Sequence, residues 1–284
     1  MQQKTIKNNV HAQGVGIHSG QPVNMTLLPA PDDTGIVFRL RQDGALKELP
    51  VCADKIVEVP MCTLLVYDSL KVSTIEHLLS ALAALEIDNI YIDLDAAEVP
   101  IMDGSASPFI LLLRGAGILE QAAPRRYIRV KQAVRVEDGD RFAELLPYGH
   151  GLCIHASIDS TDPVIRATHQ ELIFNFSTNG YIKEISRART YGYAAQLEQL
   201  HKNDLALGAS LDNSVGIDDQ GIMNPEGLRY PDEFIRHKVL DCIGDLYVAG
   251  PIKGMFRGHK MGHALNNRVL RQLLATEGAW EWHS

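Results

Sequence analysis

Hydrophobic and polar positions alternate along much of the chain, and in four segments the spacing changes to three or four. The alternation predicts strands in VNMTLLPA, GIVFRL, CTLLVYD and NIYIDLD, then in YIRVKQAVRVE, RFAELLPY, GLCIHASID and QELIFNF, with a short further strand at IKGMF. The helical spacing occurs in STIEHLLSALAAL, SPFILLLRGAG, PDEFIRHKVL and HALNNRVLRQLLA. Strands and helices therefore follow one another in two successive series.

The two series predict an α+β fold with two halves of similar layout, residues 1–124 and 127–284, and QAAPRR reads as the linker between them. Aligning His77 with His237 places Asp103 over His263 and superposes the last apolar runs of both halves. This weak repeat predicts pseudo-twofold packing, in which both halves contribute to one central site.

Composition narrows the possible partners and the compartment. The chain has 284 residues, 45% of them hydrophobic, and a net charge of −8 without a strongly basic block, which argues against nucleic acid as a partner. The four cysteines have no CxxC spacing and are predicted to be reduced thiols of a cytoplasmic protein. MQQKTIKNNV lacks the apolar core of a signal peptide, and without any run of about 18 apolar residues we expect no transmembrane segment.

The segment PDEFIRHKVLDCIGD carries a polar ladder on a predicted helix. His237, Asp241 and Asp245 are spaced by four and share a face. The ladder is either a solvated face with a His–Asp pair or part of a metal site, because imidazole and carboxylate at i and i+4 can reach one ion. Two ligands do not make a zinc site, so the second interpretation requires a third ligand elsewhere.

The first helix offers that ligand in the adjacent pair Glu76 and His77. One of them can bind a metal while its neighbour reaches a water beside it. The alternative is a helix start, because Ser73 followed by Glu76 fits a capping box. The sequence leaves these two interpretations nearly even.

Three other segments carry candidate features. HKMGH provides a rival pair, His259 and His263, but the glycines around it favour a loop with His263 free for acid–base chemistry. GVGIHSG lacks the dinucleotide-binding spacing and predicts a strand–turn–strand element. The segment SRARTYGYAAQLEQLHKNDLALGASL predicts an inserted helix with glycine-containing turns, for which buried core is favoured over the wall of a channel.

Taken in order, GVGIHSG, STIEHLLSAL, EVPIMDGSASPF, ISRART, GLRYPDEFIRHKVLDCIGDL and GHALNN resemble the UDP-3-O-acyl-N-acetylglucosamine deacetylases, the zinc amidases of lipid A biosynthesis. The resemblance covers almost the whole chain. It implies two α+β domains, each a mainly antiparallel sheet packed against helices, with the active site between them. It also implies one catalytic Zn²⁺ per chain, held by His77, His237 and Asp241, although Fe(II) or Co(II) would also suit such a site.

The same resemblance assigns further roles. Glu76 would be the general base and His263 the assisting acid, Thr190 would lie beside the scissile amide, and Lys238 and Asp245 would support the site. Substrate contacts are expected at His18, Met61, Cys62, Tyr191, Tyr193 and Lys260. The insertion near 190–212 would form an acyl passage, which replaces the interpretation as buried core.

The implied reaction is hydrolysis of the 2-acetamido group of UDP-3-O-(3-hydroxyacyl)-N-acetylglucosamine to acetate and a free amine, the committed step of lipid A biosynthesis. A monomer in the cytoplasm of a Gram-negative bacterium is expected. The chain departs from the family pattern at Tyr191-Gly192-Tyr193, Ala209 and His259, which bear on acyl preference. The alternatives are a non-catalytic zinc-binding protein and a fusion to a dehydratase, and at this length we expect no dehydratase domain.

Overall fold

The computed structural model describes residues 1–42 and 44–284. The helices are α1 (Glu76–Ala84), α2 (Ser107–Ala116), α3 (Pro163–Arg166), α4 (Thr178–Glu184), α5 (Leu197–Lys202), α6 (Glu233–Tyr247) and α7 (His263–Ala275), with short 3-10 turns at Ala53–Lys55 and Ala194–Gln196. The strands are β1 (Gln2–Ile6), β2 (Val10–Val15), β3 (Pro22–Pro29), β4 (Ile36–Gln42), β5 (Ala45–Pro50), β6 (Ile56–Val59), β7 (Cys62–Tyr67), β8 (Leu70–Val72), β9 (Ile90–Leu94), β10 (Ile118–Pro124), β11 (Tyr127–Val130), β12 (Val134–Asp138), β13 (Arg141–Leu146), β14 (Leu152–Ser157), β15 (Glu171–Asn175), β16 (Tyr191–Tyr193), β17 (Val215–Asp218), β18 (Gly221–Ile222), β19 (Ile252–His259) and β20 (Trp280–His283).

The first half contains a five-stranded sheet in the order β2-β3-β9-β4-β5, in which only the β4–β9 pair is parallel. Burial alternates along β9, where Ile90, Ile92 and Leu94 face the core, as expected for a sheet with one covered face. The antiparallel β6-β7-β8 sheet and the β1–β10 pair complete this half. The three-stranded sheet matters for the site, because β7 begins beside the first helix.

The second half is built on a seven-stranded sheet. The path β12-β13-β19-β11-β20 is extended by β14, which pairs with β19 and β15. The small β16-β17-β18 sheet follows the SRART segment. The fold class is therefore α+β with mainly antiparallel sheets, as predicted; the domain boundaries near residues 124–127 stay a prediction.

Two helices lie in the interior between the sheets. All nine residues of α1 are buried, and α6 is buried except at Arg236 and Lys238. Small side chains on α1 and glycine on α6 let the backbones approach. A Cβ at Gly244 would lie 2.0 Å from the backbone oxygen of Glu76, so only glycine fits at this crossing.

Most predicted elements are present, and the exceptions have physical causes. QAAPRR is not a linker: residues 121–124 belong to β10, and Arg125 is buried with its Nε donating to Asp88 at 2.8 Å. The capping-box alternative is also wrong, because α1 has Ile75 at its N-cap without a side-chain bond, while Ser73 Oγ donates to the Ala97 carbonyl. Among the residues described, no helix is both long enough and apolar enough to cross a membrane.

Substituting Gly244 by alanine tests the α1–α6 crossing. We expect Gly244→Ala to lower the free energy of unfolding by about 1–3 kcal/mol or more, because the new methyl group meets backbone rather than a movable side chain. Gly115→Ala is the matched control, since Gly115 is exposed in α2 with nothing within 4 Å of its Cβ position. The control should gain about 0.5–1 kcal/mol. Equal denaturant midpoints for the two variants would contradict the close approach.

Candidate active site

Three side chains predicted as metal ligands converge from α1 and α6. His77 Nε2 lies 3.4 Å and His237 Nε2 3.3 Å from Asp241 Oδ1. The ligand atoms of the three residues all lie within 4.8 Å of one another, and all three residues are buried. Because the ladder on α6 is buried, the alternative of a solvated face is wrong.

The donor set fits a metal ion. In the part of the chain that the structure describes, the buried oxygen Asp241 Oδ1 has no hydrogen-bond partner, which is costly unless something else satisfies it. Burial lowers the pKa of His237 to about 3, against the attraction of Asp241, so the ring is neutral. Its Nδ1 donates to the Ala188 carbonyl at 3.0 Å, which leaves the Nε2 lone pair directed at the cluster.

Glu76 and His263 face each other beside this cluster. Glu76 Oε1 lies 3.8 Å from His263 Nε2, and the backbone N–H of Thr63 donates to Glu76 Oε2 at 3.0 Å. Burial raises the pKa of Glu76, partly offset by the two neighbouring histidines. Burial alone would lower the pKa of His263, but the carboxylates of Asp245 and Glu76 raise it to about 10. Glu76 is thus suited to accept a proton, and His263 is suited to donate one.

Asp245 orients His263. Its Oδ2 accepts from His263 Nδ1 at 2.9 Å and from Asn266 Nδ2 at 2.8 Å, and its Oδ1 accepts from the Thr63 hydroxyl at 2.5 Å. Thr63 and Asn266 were missed by the sequence analysis. Thr63 follows Cys62 in a segment predicted only as a strand. Asn266 lies within the GHALNN motif, so its place in a motif of the resembling family is the sequence feature that points to it.

Lys238 completes the polar side of the site. Its Nζ donates to Asp241 Oδ2 at 2.8 Å and lies over the ring of Tyr191. Burial alone would lower the pKa of Lys238, but Asp241 raises it above its ordinary value, so the ammonium stays charged. The charged Lys238 ammonium holds the pKa of Asp241 well below its ordinary value despite burial.

Two cavities meet at the cluster. A polar cavity of about 520 Å³ is lined by His237, Lys238 and His263 and also by Arg141. An apolar cavity of about 230 Å³ extends into the insertion, where Leu197, Leu200 and Leu211 line it. The two cavities share the lining residues Met61, Glu76, His77, Thr190 and Tyr191. These leucines are not buried core, so the first interpretation of the insertion is wrong.

The predicted substrate contacts are not all brought to these cavities. His18 and Tyr193 line the apolar cavity. The loop of His18 is fixed by buried Glu98, which accepts from the backbone N–H groups of His18 and Ser19 at 2.9 Å each.

Cys62 is buried away from both cavities at the cluster, in a small separate pocket, and burial with Glu76 nearby raises the pKa of its thiol to about 12. The Lys260 ammonium binds Asp140 and Asp159 instead, while its carbonyl accepts from Arg141 Nε at 3.0 Å. Arg141, which the sequence analysis did not select, is therefore the cation that this region presents to the polar cavity.

The rival pair is not assembled. His259 ends β19, its Nδ1 lies 2.9 Å from the Ser157 hydroxyl, and its ring stacks on Phe142. His263 begins α7 and faces Glu76. The predicted loop between the two histidines is present.

Residues 3–275 match the LpxC family, described as UDP-3-O-acyl N-acetylglycosamine deacetylase. The chain belongs to this deacetylase family. Proteins named UDP-3-O-acyl-N-acetylglucosamine deacetylase from Shewanella sp. (strain W3-18-1) and Marinobacter nauticus are each 51% identical to it, over 98% and 99% of this chain and 92% of each relative. The protein of the same name from Xanthomonas euvesicatoria pv. vesicatoria is 49% identical over 100% of this chain and 93% of the relative. LpxC deacetylases are metalloenzymes of the hydrolase class, and the cluster of His77, His237 and Asp241 could hold such a metal.

Replacing one histidine at a time tests the ligand set. We expect purified His237→Ala to contain no bound metal, because the two remaining donors do not make a stable site. His259→Ala, a histidine outside the cluster, should keep one ion per chain. Elemental analysis of both proteins measures this. Full metal content in His237→Ala and loss in His259→Ala would instead favour the His259 and His263 pair.

Proposed function

We propose that this protein hydrolyses the 2-acetamido group of UDP-3-O-(3-hydroxyacyl)-N-acetylglucosamine, releasing acetate and the free 2-amine that lipid A biosynthesis requires. The proposal is supported by the family match together with one arrangement: a buried carboxylate and a charged imidazole, Glu76 and His263, beside an open three-ligand metal cluster. A purely structural metal site would be closed by a fourth protein ligand and would not need this pair.

Zn²⁺ held by His77, His237 and Asp241 would supply Lewis acidity, which lowers the pKa of water and polarises a carbonyl. The remaining chemistry belongs to the protein. Glu76, whose pKa is raised by burial, accepts a proton from the water that attacks the acetamide carbonyl carbon. Its carboxylate is fixed for this task by the Thr63 N–H.

His263 supplies the proton that the leaving nitrogen needs. Asp245 holds its Nδ1, so Nε2 points at Glu76 and the cluster. As the C–N bond breaks, the imidazolium protonates the nitrogen, and acetate and amine result. Thr190 lines both cavities beside the cluster, and we assign its hydroxyl the role of donating to the oxyanion of the tetrahedral intermediate.

The two cavities suggest how the substrate is divided. Arg141 and Lys238 give the polar cavity two cations, which suit a diphosphate. The leucine-lined cavity suits the acyl chain, since apolar surface is buried there at little desolvation cost. Met61, Tyr191 and Thr190 lie at the junction, where the sugar would connect both parts.

Glu76→Gln separates catalysis from mere metal binding. The amide keeps the shape but cannot accept the proton, so we expect kcat for acetate release to fall about 10²- to 10⁴-fold with metal still bound. Glu48→Gln, the same change at an exposed position of β5, should leave kcat unchanged. Normal turnover in Glu76→Gln would instead assign the role of general base to another residue.

The alkaline limb of the pH profile tests His263. The imidazolium is the active form, and the pKa of His263 is raised to about 10, so kcat/KM should hold to alkaline pH and fall as His263 loses its proton. Asp245→Asn removes one of the two carboxylates that raise this pKa. The limb should then move to lower pH by about 1–3 pH units. An unchanged limb in this variant would assign the alkaline titration to another group.

A charged residue in the apolar cavity tests the acyl passage. Leu200→Glu should raise KM for the acylated sugar nucleotide at least about tenfold, because it places a carboxylate where an alkyl chain would lie. Metal content should not change. Leu119→Glu, on exposed β10, is the control for added charge. Equal wild-type affinity for acylated and deacylated sugar nucleotides would contradict the passage.

A further inference from the structure

A buried ion pair lies behind the candidate site, outside the catalytic groups. Arg189 is 1% exposed, and Glu233, the first residue of α6, is completely buried. Arg189 Nε donates to Glu233 Oε1 at 2.9 Å and Nη2 donates to Oε2 at 3.2 Å. The backbone N–H of Arg189 also donates to Oε1 at 2.9 Å. Glu233 therefore holds both the side chain and the main chain of Arg189.

The surrounding contacts complete the pairing. Arg189 Nη1 donates to Glu226 Oε1 at 2.6 Å and Nη2 to the Gly227 carbonyl at 2.7 Å, while the Arg229 N–H donates to Glu233 Oε2 at 2.6 Å. Stability does not account for such a pair, because apolar residues of similar volume in place of a buried ion pair are often neutral or stabilising. A geometric role is the better explanation.

The residues on either side of Arg189 both serve the site. The Ala188 carbonyl accepts from His237 Nδ1 at 3.0 Å, which determines which ring nitrogen is free to bind a metal. Thr190 is held by its N–H to the Gly104 carbonyl at 2.9 Å and by its own carbonyl, which accepts from Val215 N–H at 2.8 Å. Because His237 lies one helical turn after Glu233, the pair fixes residues 188–190 against the same stretch of α6.

We propose that the Arg189–Glu233 ion pair is a positioning device that sets the register of residues 188–190 against α6. The ion pair orients the His237 ring through the Ala188 carbonyl. It also fixes the position of Thr190 through the main chain. Neither Arg189 nor Glu233 lines the two cavities at the cluster, so both are positioning residues rather than catalytic ones. This inference rests on the proposed function, since it assigns His237 to the metal and Thr190 to the substrate.

The decisive variant removes both charges at once. Arg189→Met/Glu233→Met removes both charges together and should still fold, with a melting temperature lowered because two backbone N–H groups lose Glu233 as their acceptor. Its apoprotein should bind Zn²⁺ about 10- to 100-fold more weakly, as expected when the partner of a ligating histidine is displaced. In the metal-loaded enzyme, kcat should fall while KM for the acylated substrate changes little. If the ion pair served stability alone, the folded double variant would bind Zn²⁺ and turn over substrate as the wild type does.

The matched control is the neighbouring ion pair Arg236–Asp232, whose Nε and Oδ1 atoms lie 2.5 Å apart at the same end of α6. Arg236→Met/Asp232→Met should leave Zn²⁺ affinity and kcat as in the wild type. A second variant, Arg189→Lys, keeps the charge but loses the paired donors, and should weaken Zn²⁺ binding in a folded protein.

The outcomes separate the two proposals. A wild-type protein that neither binds Zn²⁺ nor releases acetate overturns the proposed function. With an active wild type, a folded double variant that retains wild-type Zn²⁺ affinity and kcat overturns the positioning role. If the double variant does not fold, Arg189→Lys decides: unchanged Zn²⁺ affinity overturns the inference, and weaker binding at an unchanged melting temperature supports it.

Discussion

The crossing of α1 and α6 is the constraint on which the candidate site depends. His77 reaches His237 and Asp241, 160 and 164 positions along the chain, only because the Glu76 backbone lies against Gly244 with no room for a side chain. Both helices are surrounded by core, so neither can move away without exposing apolar surface. The packing of the protein alone therefore brings the ring nitrogens and the carboxylate oxygen together.

Burial at this crossing determines the acid–base chemistry as well as the geometry. It raises the pKa of Glu76, whereas the pKa of His263 rises because two carboxylates outweigh the same desolvation. Thr63 lies between them, with its backbone N–H on Glu76 and its hydroxyl on Asp245. One residue at the start of β7 thus couples the orientation of both proton carriers.

The insertion and the buried ion pair have related roles around the crossing. The SRART segment contacts α6 through the Arg189–Glu233 ion pair. The next residues along the chain, Thr190 and Tyr191, line the apolar cavity. The polar cavity and the leucine-lined cavity consequently meet where the cluster lies. A substrate with an anionic head and an apolar chain would be held at both ends with its amide at the junction.

The sequence by itself determined what depends on nearby residues. Period-two and helical spacing located the four long helices and the strands β3, β4, β7, β9, β11 to β15 and β19, but not short edge strands such as β1, β8 and β20. The spacing of His237, Asp241 and Asp245 put them on one face of α6. The long motifs, through their resemblance, located His77, Glu76 and His263 in one site. QAAPRR was misread because its small and charged residues look like a linker, while its strand exists only through pairing with β1.

The tertiary structure decided everything that depends on approach between distant segments. Whether Glu76 caps its helix or faces His263 depends on β7, which supplies the Thr63 N–H. Lys260 and Arg141 look equivalent as isolated cations, but Asp140 and Asp159 engage the first and leave the second to line the cavity. The partners of Arg189 are 37 and 44 residues away. Such pairings follow from the packing of the whole chain, because local sequence spacing does not predict which buried charged residues form ion pairs with each other.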